Sequence, residues 1–255
     1  MLVEKIKKVS SNKYEIKFKN KESLKLSSST IINNNLLFKK DIDKVLLKKL
    51  EKEDEFYIFY DKVIKMLGSK RKCEYEIRKY LEKNKLSNKN INHIIDILKE
   101  KKLIDDVSYV KAYINDKINL SFDGPLKIKR DLLIFNIDEN IIDDEISKID
   151  DMIILDNLKK IIDKKVAINK KDSAYIMKKK IINDLVNKGY YKEQIVDILN
   201  YYNIDDNCIL KKEFNKLYNK YKNKIDGYEL YNYIKNKLYQ KGFSLDDINE
   251  IINEH

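Results

Sequence analysis

The sequence predicts a mainly α-helical protein: tandem three-helix repeats forming an elongated, curved array, behind a small N-terminal β-hairpin and helix module. Two observations carry this. One Pro and five Gly in 255 residues leave too few turn formers for a sandwich or barrel, which needs them roughly every 8–12 positions. Leu81, Leu132, Leu185 and Leu238 recur at intervals of 51, 53 and 53 residues. Five positions after each stand Leu86, Ile137, Tyr190 and Phe243, and five further on Ile91, Ile142, Ile195 and Ile248. Four beyond those come Ile95, Ile146, Leu199 and Ile252. Sixteen apolar matches in one frame describe a chain of like units, each completing its core against its neighbours. With 43% hydrophobic residues, the 37% of charged residues does not signal disorder.

Residues 1–55 stand outside the repeat. Partial alternation in Leu2-Val3, Ile6 and Val9, in Tyr14 to Phe18, and in Leu24 to Leu26 predicts two or three short antiparallel strands. Asn12 and Asn20-Lys21 supply the turns, and a helix follows near 41–53. The first repeat occupies 56–104. Its opening helix carries Phe56, Phe59, Tyr60, Val63, Ile64 and Leu67 at helical spacing and closes at Gly68. A second helix runs from about Cys73 to Lys83 and a third from about Asn88 to Lys101. The second repeat, 105–150, opens at Asp105-Asp106 and starts its middle helix at Asp123-Gly124-Pro125, where Pro suits the first helical turn. Repeats three and four follow over 151–203 and 204–255. In both, Lys188-Gly189-Tyr190 and Lys241-Gly242-Phe243 put Gly at the left-handed position that ends a helix.

Composition removes many functions. No two glycines lie close enough for a dinucleotide fingerprint, a nucleophile elbow or a P-loop. Cys73, His93, Cys208 and His255 form no metal-ligand spacing, so neither metal nor cofactor is expected. Nor do Cys73 and His93, on different helices with nothing to orient them, suggest a nucleophile and its base. Two cysteines 135 positions apart suit a reducing cytoplasm better than a disulfide framework. No apolar run reaches the roughly 18 residues of a membrane span, and the charged N-terminus argues against a secretory signal. The expectation is a monomeric cytoplasmic protein, not an enzyme, with no membrane partner.

The net charge of +11 is unevenly spread. Residues 1–55 carry +5 and 56–104 carry +7, residues 105–150 reverse to −5, 151–203 return to +4, and 204–255 balance. Such a reversal suggests a directional partner surface with an anion at its basic end. On the middle helix of repeat one, Ile77, Tyr80 and Leu81 define the core face. Lys72, Arg78, Lys79 and Lys83 fall opposite, with Tyr75 among them and Arg71 just before the helix. Lys127, Lys129 and Arg130 make a smaller cluster on the matching helix of repeat two. A basic face with an embedded aromatic can track phosphates and stack on a base. Arg71, Arg78 and Arg130 are the only Arg among 53 basic residues, and Arg suits planar recognition of phosphate better than Lys. These nine residues are the candidate nucleic-acid contacts; the competing reading is a solvated lysine face. Of the Asp pairs at 105–106, 143–144, 205–206 and 246–247, three sit at expected helix starts and read as caps before acid-base groups, and of the 18 Tyr most at helical spacing read as core.

The run Arg71-Lys72-Cys73-Glu74-Tyr75-Glu76-Ile77-Arg78-Lys79-Tyr80-Leu81 resembles the first-repeat signature of the RecX family, regulators of the RecA recombinase. Leu98-Lys99 leading to Leu103-Ile104-Asp105-Asp106 and Tyr109 is similar to the family's next motif. So is Gly124-Pro125-Leu126-Lys127-Ile128 ahead of Asn136-Ile137, and the three motifs fall within residues 66–146. Cys73 stands where the family favours a Ser cap, and Lys117 follows Asp116 where Arg is usual. The resemblance implies a non-enzymatic regulator, mainly an inhibitor, bound along the groove of the RecA–single-stranded DNA filament. RecA and single-stranded DNA are then its partners, and ATPase and strand exchange in recombination, DNA repair and the SOS response its targets. Two other readings compete: a RecA-independent nucleic-acid-binding helical-repeat module, and a protein-binding scaffold.

Overall fold

The protein, described over residues 1–255 by a computed structural model, has one three-stranded sheet and thirteen α-helices. No helix is long and apolar enough to cross a membrane. The chain divides into two compact units, Met1–Tyr109 with Phe135–Ile137, and Val110–Ile134 with Asp138–His255.

In the first unit, β1 (Val3–Ser10), β2 (Lys13–Phe18) and β3 (Ser23–Ser27) form an antiparallel meander. Its register sets Ile6 opposite Ile16 and Ile16 opposite Leu24, so one face is apolar. Ile16 on that face joins Ile31, Leu36, Ile42 and Leu50 in a buried core. A short helix, α1 (Ser28–Asn33), follows unannounced by the alternation. Then α2 runs unbroken from Lys44 to Ser69. It fuses the helix expected near 41–53 with the opening helix of repeat one, because residues 51–55 hold neither Gly nor Pro to stop it. Gly68 lies inside its last turn and does not close it. Buried Asp54 ties α2 to the sheet, its Oδ1 accepting from the Ser27 N–H and from Thr30 Oγ1, both at 2.6 Å. Next, α3 (Glu74–Lys83) and α4 (Asn88–Glu100) close a bundle around Val63, Ile77, Leu81, Ile91, Ile94 and Leu98.

Helix α5 (Asp106–Asp116) begins in the first unit and ends in the second, where it widens into a π turn over Lys117–Ser121. Asn157 Nδ2, buried, donates to the Ile118 carbonyl there at 3.1 Å. The rest of the chain is α6 (Pro125–Leu133), α7 (Glu139–Ser147), α8 (Asp151–Ala167), α9 (Ala174–Asn187), α10 (Lys192–Asn200), α11 (Asn207–Tyr221), α12 (Gly227–Gln240) and α13 (Leu245–Asn253). From α2 onward the helices fall in threes.

The repeat frame holds in side chains and backbone alike. Fourteen of the sixteen frame positions are buried, and Ile146 and Ile252 are half-buried. Four positions beyond each frame leucine, Lys85, Asn136, Gly189 and Gly242 adopt φ of 61°, 51°, 87° and 81°. Each middle helix therefore ends on one left-handed residue, even in the two copies that lack Gly. The N–H groups of Leu86, Tyr190 and Phe243 then reach back to the carbonyls of Leu81, Leu185 and Leu238 at 3.2, 3.1 and 3.3 Å.

In the second unit, this turn also meets the N-terminus of the middle helix of the preceding copy. Gly124, at the N-cap of α6, has no side chain to take the orphan amides of the first turn. Instead the Gly124 N–H donates to the Lys188 carbonyl at 2.7 Å and the Leu126 N–H to the Gly189 carbonyl at 3.0 Å. Ser173, at the N-cap of α9, donates through Oγ to the Lys241 carbonyl at 2.7 Å. Tyr190 completes the first joint, its Oη donating to the Phe122 carbonyl at 2.9 Å. Burial, helped by the Asp123 charge, pushes that phenol up to about 12.

Tyr190 is the one fully buried tyrosine. Tyr60, Tyr80, Tyr218, Tyr221 and Tyr231 pack against the cores half-buried, while Tyr175, Tyr191, Tyr201, Tyr228 and Tyr239 are exposed. The expectation that most tyrosines at helical spacing are core is corrected. Helical spacing does not separate the flank of a stripe from its centre, and a phenol rests comfortably with its ring on the core and its hydroxyl in water.

Candidate nucleic-acid interface

The basic face of repeat one is built on α3. Cys73 occupies the N-cap, and the Glu76 carboxylate reaches back to accept its backbone N–H at 3.4 Å, as in a capping box. Glu74 and Glu76 in the first turn complement the helix dipole, and each also takes a cation. Lys72 Nζ meets Glu76 at 2.5 Å. Arg78 Nε meets Glu74 at 2.5 Å while its Nη1 donates to Asn92 Oδ1 on α4 at 2.7 Å. Lys99 Nζ reaches the same Glu74 at 2.6 Å. Burial alone would raise the Glu74 carboxyl, but the hydrogen bonds from Lys99 and Arg78 outweigh it and hold it below its usual range.

Arg71, Lys79 and Lys83 stand outside these ion pairs, all exposed. Lys79 Nζ sits 4.6 Å above the half-buried Tyr75 ring, which meets Phe135 edge-on at 6.3 Å within the same unit. Arg71 Nη1 lies 3.4 Å from the Ser108 carbonyl. Beside it opens a cavity of about 290 Å³ lined by Arg71, Lys72 and Lys102, with Leu67, Leu103 and Ser108 among the other walls. Sequence reasoning missed Lys102. It follows the end of α4 in the left-handed conformation, φ 52°, outside any helical wheel.

In the second unit, Lys127 Nζ is held by buried Asp123 at 2.9 Å. Lys129 Nζ bridges Glu139 at 2.8 Å and Asp143 at 2.6 Å, and its hydrogen bonds to Asp143 and Glu139 raise its pKa. Arg130 is exposed. Of the nine candidates, Lys72, Arg78, Lys127 and Lys129 thus have carboxylate partners inside the chain. Arg71, Lys79, Lys83 and Arg130 are exposed and belong to none of these pairs, while Tyr75 is half-buried beneath Lys79.

The acid-base candidates dissolve into caps and pairs. Asp105 Oδ2 accepts the Ser108 N–H and Asp205 Oδ1 the Asn207 N–H, each at 2.9 Å, and Asp206 Oδ2 accepts the Ala174 N–H at 2.6 Å. Asp246 and Asp247 lie in the first turn of α13. Asp143 and Asp144, in mid-α7, pair with Lys129 and Lys148. The His93 ring lies tilted against Phe56, centroids 4.9 Å apart. Burial pushes the Cys73 thiol up to about 11, with the Glu76 and Asp106 charges adding to it, so almost no thiolate exists at neutral pH. Thiol titration at pH 7 in the native state should therefore label exposed Cys208 quickly and Cys73 only on unfolding, with Cys73 gaining reactivity as pH climbs toward 11. Equal native labelling of both would contradict this placement.

No family model matches the chain. Curated relatives do, along most of their length. "Regulatory protein RecX" of Streptococcus equi subsp. equi is 28% identical over 247 residues, covering 95% of each chain. That of Lactococcus lactis subsp. lactis is 28% identical over 246 residues, covering 93% of this chain and 91% of the relative. The chain is a homologue of the RecX regulatory proteins. Solved structures agree on the fold. A crystal structure of regulatory protein RecX superposes with a TM-score of 0.64 at 21% identity, covering 79% of this chain and 99% of that one. RecX from Lactobacillus salivarius gives 0.54 at 24% identity, covering 59% and 99%. The similarity to RecX sequences reaches well beyond the motifs at 66–146 and takes in the fourth repeat.

Proposed function

We propose that the chain is a non-enzymatic regulator of RecA that binds along the groove of the RecA–single-stranded DNA filament and lowers its ATPase and strand exchange. The observation that carries this reading is the similarity to proteins named Regulatory protein RecX over 95% of both chains. Charge and architecture support it. Residues 1–104 carry 27 basic and 15 acidic side chains, a basic end suited to DNA phosphates or an acidic protein face. Repeated units offer repeated contacts to a filament of repeated protomers. A regulator of this kind works in the cytoplasm, where RecA meets DNA. Titrating the chain into RecA on single-stranded DNA should bring the steady-state ATPase down until the filament is saturated. An unchanged rate at stoichiometries that coat the filament would sink the reading.

The cavity lined by Arg71, Lys72 and Lys102, with Asp105 also in its wall, favours a second reading, a nucleic-acid-binding module that needs no RecA. It requires tight binding to bare DNA at physiological salt with a steep salt slope. Weak binding there removes it.

A further inference from the structure

The fourth repeat is neutral in sum but not in layout. Residues 216–237 hold six Lys against Asp226 and Glu229, while the rest of 204–255 holds three Lys against seven carboxylates. The basic stretch covers the end of α11, the connecting turn and most of α12, and tyrosines are set among its lysines. Tyr221 and Tyr233 meet across the two helices with centroids 4.8 Å apart and planes at 61°. Lys220 Nζ lies 5.3 Å from the Tyr221 centroid and Lys237 Nζ 5.5 Å from that of Tyr233. A second row runs beside the first: Lys222 Nζ is 5.9 Å from the Tyr218 centroid, and Tyr218 is 6.3 Å from Tyr231. At the start of α12, Tyr228 is 82% exposed. The hydrogen bond between the two phenols lowers Tyr221 below its ordinary value, with Lys220 and Lys237 adding to this, and raises Tyr233.

Core packing does not account for this layout. Tyr218, Tyr221 and Tyr231 lean on the apolar cluster of Leu210, Phe214, Ile234 and Leu238, but Tyr233, Lys220 and Lys237 lie outside it. Lysines clustered this closely repel one another, at a cost that an anionic partner would relieve. Planar rings between lysines suit a ligand that alternates phosphates with flat bases, which is the chemistry of a single strand; a duplex hides its bases, and an acidic peptide has no use for the rings. We propose that the α11–α12 surface of repeat four binds single-stranded DNA, with Lys220, Lys222 and Lys237 on phosphates and Tyr233 against a base. It deepens the regulator reading by giving the neutral repeat a DNA contact of its own.

The test uses the full chain and a fluorescein-labelled oligo(dT), read by anisotropy at low and physiological salt. Lys220→Glu with Lys237→Glu should weaken binding about tenfold and flatten the salt slope by about 1.4, two single-strand phosphate contacts' worth. Tyr233→Leu should weaken it about fivefold or more, the lower end of one stacking contact, while Tyr233→Phe stays within about twofold of the parent. Oligo(dT) affinity unchanged in the double lysine variant, or no binding by the parent chain at low salt, overturns the proposal. RecA ATPase, measured on the same proteins, separates the two readings. Oligo(dT) binding lost in the variants with RecA untouched by the parent leaves this surface standing and removes the regulator reading. Parental oligo(dT) affinity in variants of a chain that does lower RecA ATPase does the reverse.

Discussion

Replacing Gly189 with Ala should destabilise the second unit by about 3–5 kcal/mol, combining a non-Gly residue at positive φ with overpacking against backbone. Its φ is +87°, and an added Cβ would stand 2.2 Å from the Lys127 amide nitrogen and 2.5 Å from the Lys127 Cβ. Neither neighbour is the free end of a side chain. The turn must retreat, and in doing so it releases the Gly124 N–H from Lys188 and the Leu126 N–H from Gly189. Buried amides left without acceptors add about 1–3 kcal/mol each where water cannot replace the lost partner. Gly124 faces the same joint, with a Cβ there 2.3 Å from the Gly189 carbonyl oxygen, so Gly124→Ala should be comparably severe. The two effects should fall short of additive, since either variant alone opens the contact. Gly227 is the control. It too has a positive φ, +51°, but nothing lies within 4 Å of its added Cβ, so Gly227→Ala carries only the backbone strain, about 1 kcal/mol. Urea midpoints of the three variants decide the matter. A Gly189 variant no worse than the Gly227 variant would mean that the joint yields freely and that the copies are not coupled through it.

Much of the repeat was legible in the sequence, because its frame is a packing requirement. A residue that must be buried in every copy leaves an apolar mark in every copy, and Leu81, Leu132, Leu185 and Leu238 are all fully buried. Left-handed helix ends announced themselves at Gly189 and Gly242, more faintly at Asn136, since Asn tolerates that conformation, and not at Lys85, where the surroundings hold it without help from composition. The capping of α6 by the turn of the next copy was not legible. Gly124 shows only that something comes close, and what comes close lies more than sixty residues away. The candidate interface was legible by halves. A helical wheel sorts cations from core, yet it showed Lys72 and Arg78 as open charges although Glu76 and Glu74 stand four residues from them, the spacing of a helical ion pair. The partners of Lys129 sit on the following helix, and the wall formed by Lys102 depends on a backbone turn after α4. Those follow from tertiary packing, which no single-helix pattern records.

Reversing three exposed charges at α3, Arg71→Glu with Lys79→Glu and Lys83→Glu, should weaken association with the RecA–single-stranded DNA filament about tenfold or more. Neutralising Arg78 should do something different. Arg78 is tied to Glu74, which it shares with Lys99, and to Asn92, so its guanidinium is already held before any partner arrives. Arg78→Gln leaves Glu74 with Lys99 and removes an ion pair that is only about two-thirds shielded from water, which costs about 1 kcal/mol or less. Its filament affinity should stay within about twofold of the parent. Arg71, Lys79 and Lys83 stand outside the ion pairs made by Glu74 and Glu76, and if they face phosphates their loss should flatten the salt slope by about 2, at roughly 0.7 per single-strand contact. If they face acidic groups of RecA, affinity should fall with little change in that slope, so the same titration tells DNA from protein as the partner of this face. Circular dichroism of the triple variant should match the parent, because none of the three side chains packs in the core around Ile77 and Leu81. Should Arg78→Gln weaken filament binding as much as the triple reversal, the Glu74–Arg78 pair must open on binding, and the contact surface is then the flank of α3 toward α4 rather than the side that carries Lys79 and Tyr75.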